Sequence, residues 1–185
     1  MPDHLQELPD AALIARVTEL DDQQAFRVLI GRHLPALRTI AYRIVGDDHT
    51  ADDCVQDATL RMWQNLDTFR GSSKFTTWAY RVVTNVALDR VRRPDREQPT
   101  DDLPEATEHL DPERHTVGRD QLDRLGVALG TLTSEQRASL VLTELDGLTH
   151  DEVADILGTT ASGVKNRIYR ARQRLVEALG DEEHR

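Results

Sequence analysis

Apolar side chains recur along this chain at intervals of three and four and almost nowhere alternate with polar ones. That spacing is the 3.6-residue period of helices with one buried stripe. It predicts an all-α protein with helices over about 10–20, 22–45, 50–66, 73–93, 119–130 and 134–146, and a terminal pair within 149–175. Pro35 falls inside the second of these, where a missing N–H and a ring clash are expected to kink or split it. Start and stop signals sharpen several ends. Thr50 with Asp53, Thr133 with Gln136 and Thr149 with Glu152 have the spacing of capping boxes, and Gly147 is a plausible helix stop.

The terminal pair is the most specific stretch. Val153, Ile156 and Leu157 give its first helix an inward face, and Gly158 permits a sharp turn. On the second helix Val164, Ile168, Ala171 and Leu175 form one stripe. Ser162, Asn166, Tyr169, Arg170 and Gln173 lie opposite, with Lys165 and Arg172 on one flank and Arg167 and Arg174 on the other. A helix, a tight turn and a second helix with polar centre and cationic flanks is the pattern of a helix-turn-helix. Central side chains reach base edges in the major groove while cations sit on phosphates. The plainer alternative is a solvated basic helix.

Two helices of the first half are unusual. In the one over 50–66, Ala51, Val55, Ala58, Met62 and Leu66 point inward, whereas Asp53, Gln56, Asp57, Leu60 and Gln64 share the other side. An outward Leu among acids and amides suits protein docking, or is a stray Leu on a solvated face. Next comes a Gly-Ser loop with Phe69, Arg70, Lys74 and Phe75. It leads into a helix that is apolar round most of its circumference, with a polar stripe of Arg81, Asn85, Asp89 and Arg92 below Trp78. Aromatic rings and cations in this order suit single-stranded nucleic acid, by stacking and by phosphate contact. The competing reading makes these rings ordinary core aromatics.

Composition narrows the function. The chain has 185 residues and a formal net charge of −10, too acidic to hold DNA by bulk electrostatics alone. Eight acidic and two basic side chains lie between Pro94 and Gly118, a net of −6, interrupted by Pro99, Pro104 and Pro112. Such a segment cannot bury a core and is expected to be a flexible linker. The expected organisation is therefore an N-terminal helical domain over 1–93, an acidic linker over 94–118 and a helix-turn-helix domain over 119–185. With a single cysteine, Cys54, there is no intramolecular disulfide, and packing is its expected role. No apolar run reaches the roughly 18 residues of a membrane span, and the acidic start is unlike a signal peptide, so a cytoplasmic location without membrane insertion is expected. The seven histidines lack metal-ligand spacing, and no phosphate-binding glycine loop is present. No catalytic residues, no metal and no cofactor are expected, and the protein is not expected to be an enzyme.

Taken together and in order, three blocks resemble bacterial sigma factors of the extracytoplasmic-function (ECF) subgroup of the sigma-70 family. GDDHTADDCVQDATLRMWQNLDTFRG is similar to the family's polymerase-binding helix, SSKFTTWAYRVVTNVALDRVRR to its −10 segment, and LTSEQRASLVLTELDGLTHDEVADILGTTASGVKNRIYRARQRL to its −35 domain. The resemblance implies a factor that binds core RNA polymerase, directs it to −35 and −10 promoter elements and promotes melting, for a stress or envelope regulon. It assigns Asp53, Gln56, Asp57 and Leu60 to polymerase. It gives the loop over 69–77, with Phe69, Arg70, Lys74 and Phe75, to a flipped −10 base. Trp78, Arg81, Asn85 and Arg92 go to the helix beneath the melting point. Lys165, Asn166, Tyr169 and Arg170 become −35 readers, and Arg167 and Arg172 phosphate contacts. Ser162-Gly163 departs from the family's frequent Gly-Thr, so Ser162 is the candidate substitute hydroxyl, and Asn166 stands where Ser is frequent. Core RNA polymerase and promoter DNA are the implied partners, with an anti-sigma protein as a further candidate. No fused C-terminal regulatory extension is expected after Leu179. The competing reading is a stand-alone helix-turn-helix regulator, which ordinarily dimerises to double its DNA contact; no heptad seam for that is visible.

Overall fold

Short side chains at helix starts define most of the architecture. A computed structural model describes residues 3–71, 73–92 and 128–180. Its helices are α1 (Asp3–Glu7), α2 (Asp10–Leu20), α3 (Gln23–Val45), α4 (Asp48–Asn65), α5 (Phe75–Arg92), α6 (Ser134–Leu140), α7 (His150–Leu157) and α8 (Ala161–Gly180). No strand occurs among the described residues. The expected linker over 94–118 and most of the helix expected over 119–130 lie outside them; residues 128–130 are helical.

The α2–α3 connection is tight because Asp21 takes a left-handed backbone (φ 51°) and Asp22 caps α3, accepting from the N–H groups of Gln24 and Ala25 at 3.1 and 3.0 Å. Gly46 (φ 84°) closes α3, and Asp47 starts α4 by accepting from the Thr50 N–H at 2.7 Å. The cap expected at Thr50 is thus made by Asp47. A glycine stop immediately before Asp47 lets the next helix begin there, and Thr50 is absorbed into its first turn. Pro35 does not split α3, which runs unbroken from Gln23 to Val45. The residue whose carbonyl its ring faces one turn back is Gly31, which brings no side chain of its own to that crowded turn. The Pro35 carbonyl accepts from Thr39 Oγ1 at 2.8 Å.

Helices α3, α4 and α5 pack against one another, with α2 laid on α3. Leu29, Leu37, Ile40, Ile44, Met62 and Val83 are fully buried between them. The α4 stripe predicted from periodicity, Ala51 to Leu66, is buried throughout. Cys54 lies in the same layer, where burial pushes its thiol above the ordinary value. Asp10 ties α2 to α3 by pairing with Arg32 at 2.9 Å and His33 Nε2 at 2.7 Å.

In the second half, Thr133–Gln136 and Thr149–Glu152 both form reciprocal capping boxes. The single helix expected over 134–146 instead widens after Leu140 into a π-type turn over Val141–Leu145. The Asp146 N–H bonds to the Val141 carbonyl at 3.1 Å. The extra residue in that turn leaves Leu145 60% exposed and brings Asp146 against Arg43 of α3 at 2.9 Å. The two halves are in contact: α5 packs on α7 and α6, and one apolar cluster runs from α3–α5 through Leu142, Val153 and Ile156. No described helix is long and apolar enough to cross a membrane.

The caps also carry an acid limb. The Ala25 N–H and then Arg16 hold the Asp22 carboxyl below its ordinary value, and the Thr50 and Thr149 N–H groups do the same for Asp47 and Glu152. A carboxylate depressed in the fold stabilises fully above its ordinary pKa, and that contribution is lost as pH falls through the depressed value. Thermal unfolding followed by far-UV circular dichroism is expected to give a steady midpoint down to about pH 5 and a falling one below about pH 4. In Asp47→Asn, whose amide caps without titrating, the fall should be shallower; an unchanged acid limb would remove Asp47 from this account.

Candidate nucleic-acid interface

The outer face of α8 is set by how that helix starts. Thr160 Oγ1 accepts from the Gly163 N–H at 3.1 Å and lies 3.0 Å from Ser162 Oγ. A Cβ on Gly163 would fall 2.8 Å from Thr159 Oγ1 and 3.3 Å from Thr160 Oγ1. A side chain at this position would therefore require the Thr159 hydroxyl to turn away. Val164, Ile168 and Ala171 are buried against α6 and α7, and each large apolar side chain so placed is worth about 1.5–3 kcal/mol. That anchoring turns Ser162, Lys165, Asn166, Arg170 and Gln173 to the exterior. Tyr169 is 61% exposed, and its hydroxyl accepts from Gln173 Nε2 at 2.8 Å.

The flanking cations differ from one another. Arg167 is half-buried. Arg172 pairs with Glu144 at 2.8 Å across to the π-type turn. Arg174, read from the sequence as a flank cation, donates to the Thr131 carbonyl at 3.1 Å and to Gln136 Oε1, so it ties α8 to the start of α6.

At the start of α5, three rings form a triangle. Phe69 and Phe75 meet edge to face with centroids 5.8 Å apart, and Trp78 lies 5.7 Å from each. Phe75 is only 6% exposed, so its ring is closed to a base in this conformation and supports the other two. Phe69 and Trp78 are half-buried. Arg70, Lys74, Arg81 and Asn85 are exposed around them. Arg92, at the far end of the same stripe, is engaged with Glu135 of α6, Nε to Oε1 3.0 Å. Ser72 lies outside the described residues.

The third surface lies on α4. Gln56, Asp57 and Leu60 are exposed, Leu60 by 56%, and Asp53 is half-buried. Beside them an apolar groove of about 380 Å³ runs between α3 and α4, lined by Leu34, Arg38, Asp52, Val55, Thr59 and Leu60. Arg38 bridges Asp48 and Asp52 at 2.6 Å each on its rim. Leu34 and Arg38 escaped the sequence reading because they belong to a different helix, and only packing brings them beside Leu60. No cluster of three or more His, Cys, Asp or Glu side chains is placed to hold a metal among the described residues.

Both halves of the chain match known proteins. Residues 29–97 match the family model described as Sigma-70 region 2, and residues 122–175 match Sigma-70, region 4. The chain is 32% identical over 181 residues to the ECF RNA polymerase sigma-E factor of Escherichia coli, covering 91% of this chain and 93% of that protein. It is 30% identical over 171 residues to the ECF RNA polymerase sigma factor SigW of Bacillus subtilis, covering 86% and 91%. Among solved structures, it is similar to CnrH in complex with the cytosolic domain of CnrY, with 30% identity, 93% and 97% coverage and a TM-score of 0.67. The sigma factor RpoE in complex with the anti-sigma factor NepR from Bartonella quintana gives 29% identity, 82% and 94% coverage and a TM-score of 0.65. The chain belongs to the ECF sigma factors of RNA polymerase, within the sigma-70 family.

Proposed function

We propose that this sigma factor divides promoter recognition among the three surfaces described above. The observation that carries the reading is the outer face of α8, polar and cationic on a chain whose net charge is −10. Such a helix cannot supply DNA affinity alone, and core RNA polymerase supplies what it lacks. Lys165, Asn166, Tyr169 and Arg170 read −35 base edges, Arg167 and Arg172 contact phosphates, and Ser162 offers a hydroxyl at the helix start. Asp53, Gln56, Asp57 and Leu60 dock on polymerase.

At the −10 element the work is melting. Unstacking costs a few kcal/mol per step, and stacking a freed base on an aromatic ring returns about 1–3 kcal/mol. Phe69 and Trp78 offer partly exposed rings for that purpose, with Phe75 packed against both. Arg70, Lys74, Arg81, Asn85 and Arg92 attract the strand's phosphates and polar edges. No nucleotide hydrolysis is needed, because binding energy offsets the cost. An anti-sigma protein is a further proposed partner, supported by the similar RpoE seen with NepR.

Run-off transcription with purified core polymerase on genomic promoter fragments tests the whole reading. Discrete transcripts should require this protein, and a gel shift with DNA alone should show no specific complex. Specific binding without polymerase would favour a stand-alone regulator. Arg170→Ala should cost about 1–3 kcal/mol at one −35 position and relax specificity there; equal weakening on every promoter would make Arg170 a phosphate contact. Asp57→Arg should weaken competition for core polymerase while leaving thermal unfolding unchanged. Unaltered core affinity would remove Asp57 from the docking surface.

A further inference from the structure

The three rings at the start of α5 rest on a fourth. The His33 imidazole of α3 lies 5.3 Å from the Phe75 ring, tilted by 50°. Phe75, only 6% exposed, thus packs against His33 as well as against Phe69 and Trp78. Contacts between aromatic rings are directional, so the orientation of one ring constrains the next.

His33 is itself held from α2. Its Nε2 lies 2.7 Å from Asp10 Oδ2, and the other Asp10 oxygen accepts from Arg32 Nη1 at 2.9 Å. A carboxylate accepts and does not donate, so the hydrogen between the pair sits on His33 Nε2. Asp10 opens α2, and Arg32 also donates to the Gln6 carbonyl at 2.6 Å, near the end of α1. The Arg32–Asp10 pair alone would tie α2 to α3. The His33 side chain, 17% exposed, joins that tie to the ring cluster.

Helix α2 also reaches the entry of the Gly-Ser loop. It packs against the short 3-10 turn Leu66–Thr68, and the Leu66 carbonyl accepts from the Phe69 N–H at 3.1 Å. Phe69 at the entry and Phe75 at the exit are therefore both steadied by contacts that begin on α2, a helix without a part in the functional reading above.

We propose that His33, oriented by Asp10, is a positioning residue for capture of the −10 base: together with the Leu66–Thr68 turn it holds the Phe69, Phe75 and Trp78 rings in the arrangement that receives the base. The inference rests on the proposed role of those rings. His33 acts through Phe75 and needs no contact with DNA. Without it the rings must be ordered at the moment of stacking, and that ordering subtracts from the binding energy.

The test uses the full chain with core polymerase and a fluorescein-labelled single strand carrying the −10 sequence of a promoter found by run-off transcription. An intact strand is compared with one made abasic where base loss weakens the unaltered holoenzyme most. His33→Gln keeps a donor toward Asp10 and removes the ring; Asp10→Ala removes the anchor. Each should weaken the intact strand about three- to tenfold and the abasic strand by less than about twofold. Asp10→Asn, whose amide bonds both Arg32 and His33, should restore the intact-strand affinity. Should His33→Gln not fold, Asp10→Ala against Asp10→Asn carries the comparison. Equal weakening of both strands makes His33 a general support of the fold and overturns the proposal, as does unchanged affinity in every variant that folds. In the protein alone, Trp63→Phe leaves Trp78 as the single tryptophan. Acrylamide quenching of its emission should change in His33→Gln and Asp10→Ala and return in Asp10→Asn. If quenching follows that pattern while Trp78→Ala leaves strand binding untouched, the positioning of the rings by His33 stands and the base-capture reading falls. If Trp78→Ala abolishes the difference between the strands while quenching and affinity ignore His33, the base-capture reading stands and the role of His33 falls.

Discussion

Helix α5 has to bury two faces at once, and the rest of the molecule is arranged round that requirement. Its apolar side chains occupy most of the circumference, so packing against α3 and α4 alone would leave a wide hydrophobic strip in water. The second half covers that strip, and Ala79, Val83, Thr84, Val86, Ala87 and Leu88 are all buried. What stays open is a narrow line containing Arg81, Asn85 and Asp89. The same helix that we propose faces a DNA strand is thereby the one on which the two halves meet.

The connections that permit this packing are short because helix starts are satisfied locally. Asp22, Asp47, Thr133, Thr149 and Thr160 each accept from a backbone N–H that would otherwise be orphaned. Left-handed backbone at Asp21, Gly46, Gly147 and Gly158 reverses the chain within one or two residues. These are nearest-neighbour effects, and most were legible in the sequence. The Thr133 and Thr149 capping boxes, the Gly158 turn and the buried stripes of α4 and α8 all depend on spacing within one element. Where two cap candidates stood close together, as at Asp47 and Thr50, spacing did not discriminate. The position of the preceding glycine stop decided between them.

The candidate sites show the same boundary. Which residues of α8 face outward follows from helical period and the anchoring of Val164, Ile168 and Ala171. What each outward cation does in the folded chain does not. Arg172 and Arg174 are two residues apart, yet one pairs with Glu144 and the other with backbone at Thr131. Phe75 and Phe69 look alike in a Gly-Ser loop, but only Phe75 is driven into the core, where it supports Phe69 and Trp78. The groove beside Leu60 needs Leu34 and Arg38 from another helix. Each of these depends on a partner distant in sequence, which periodicity cannot name.

The sequence by itself determined the helical class, the faces of each helix, the local caps and the family to which the chain belongs, because all of these rest on residue type at fixed short spacing. Only the tertiary structure decided that α5 is covered on both sides, that Arg92 is engaged by Glu135, and that a π-type turn delivers Asp146 to Arg43. The physical reason is that burial and pairing are settled by which surfaces meet. Arg43 and Asp146, more than a hundred residues apart in the chain, become neighbours only when the two halves close.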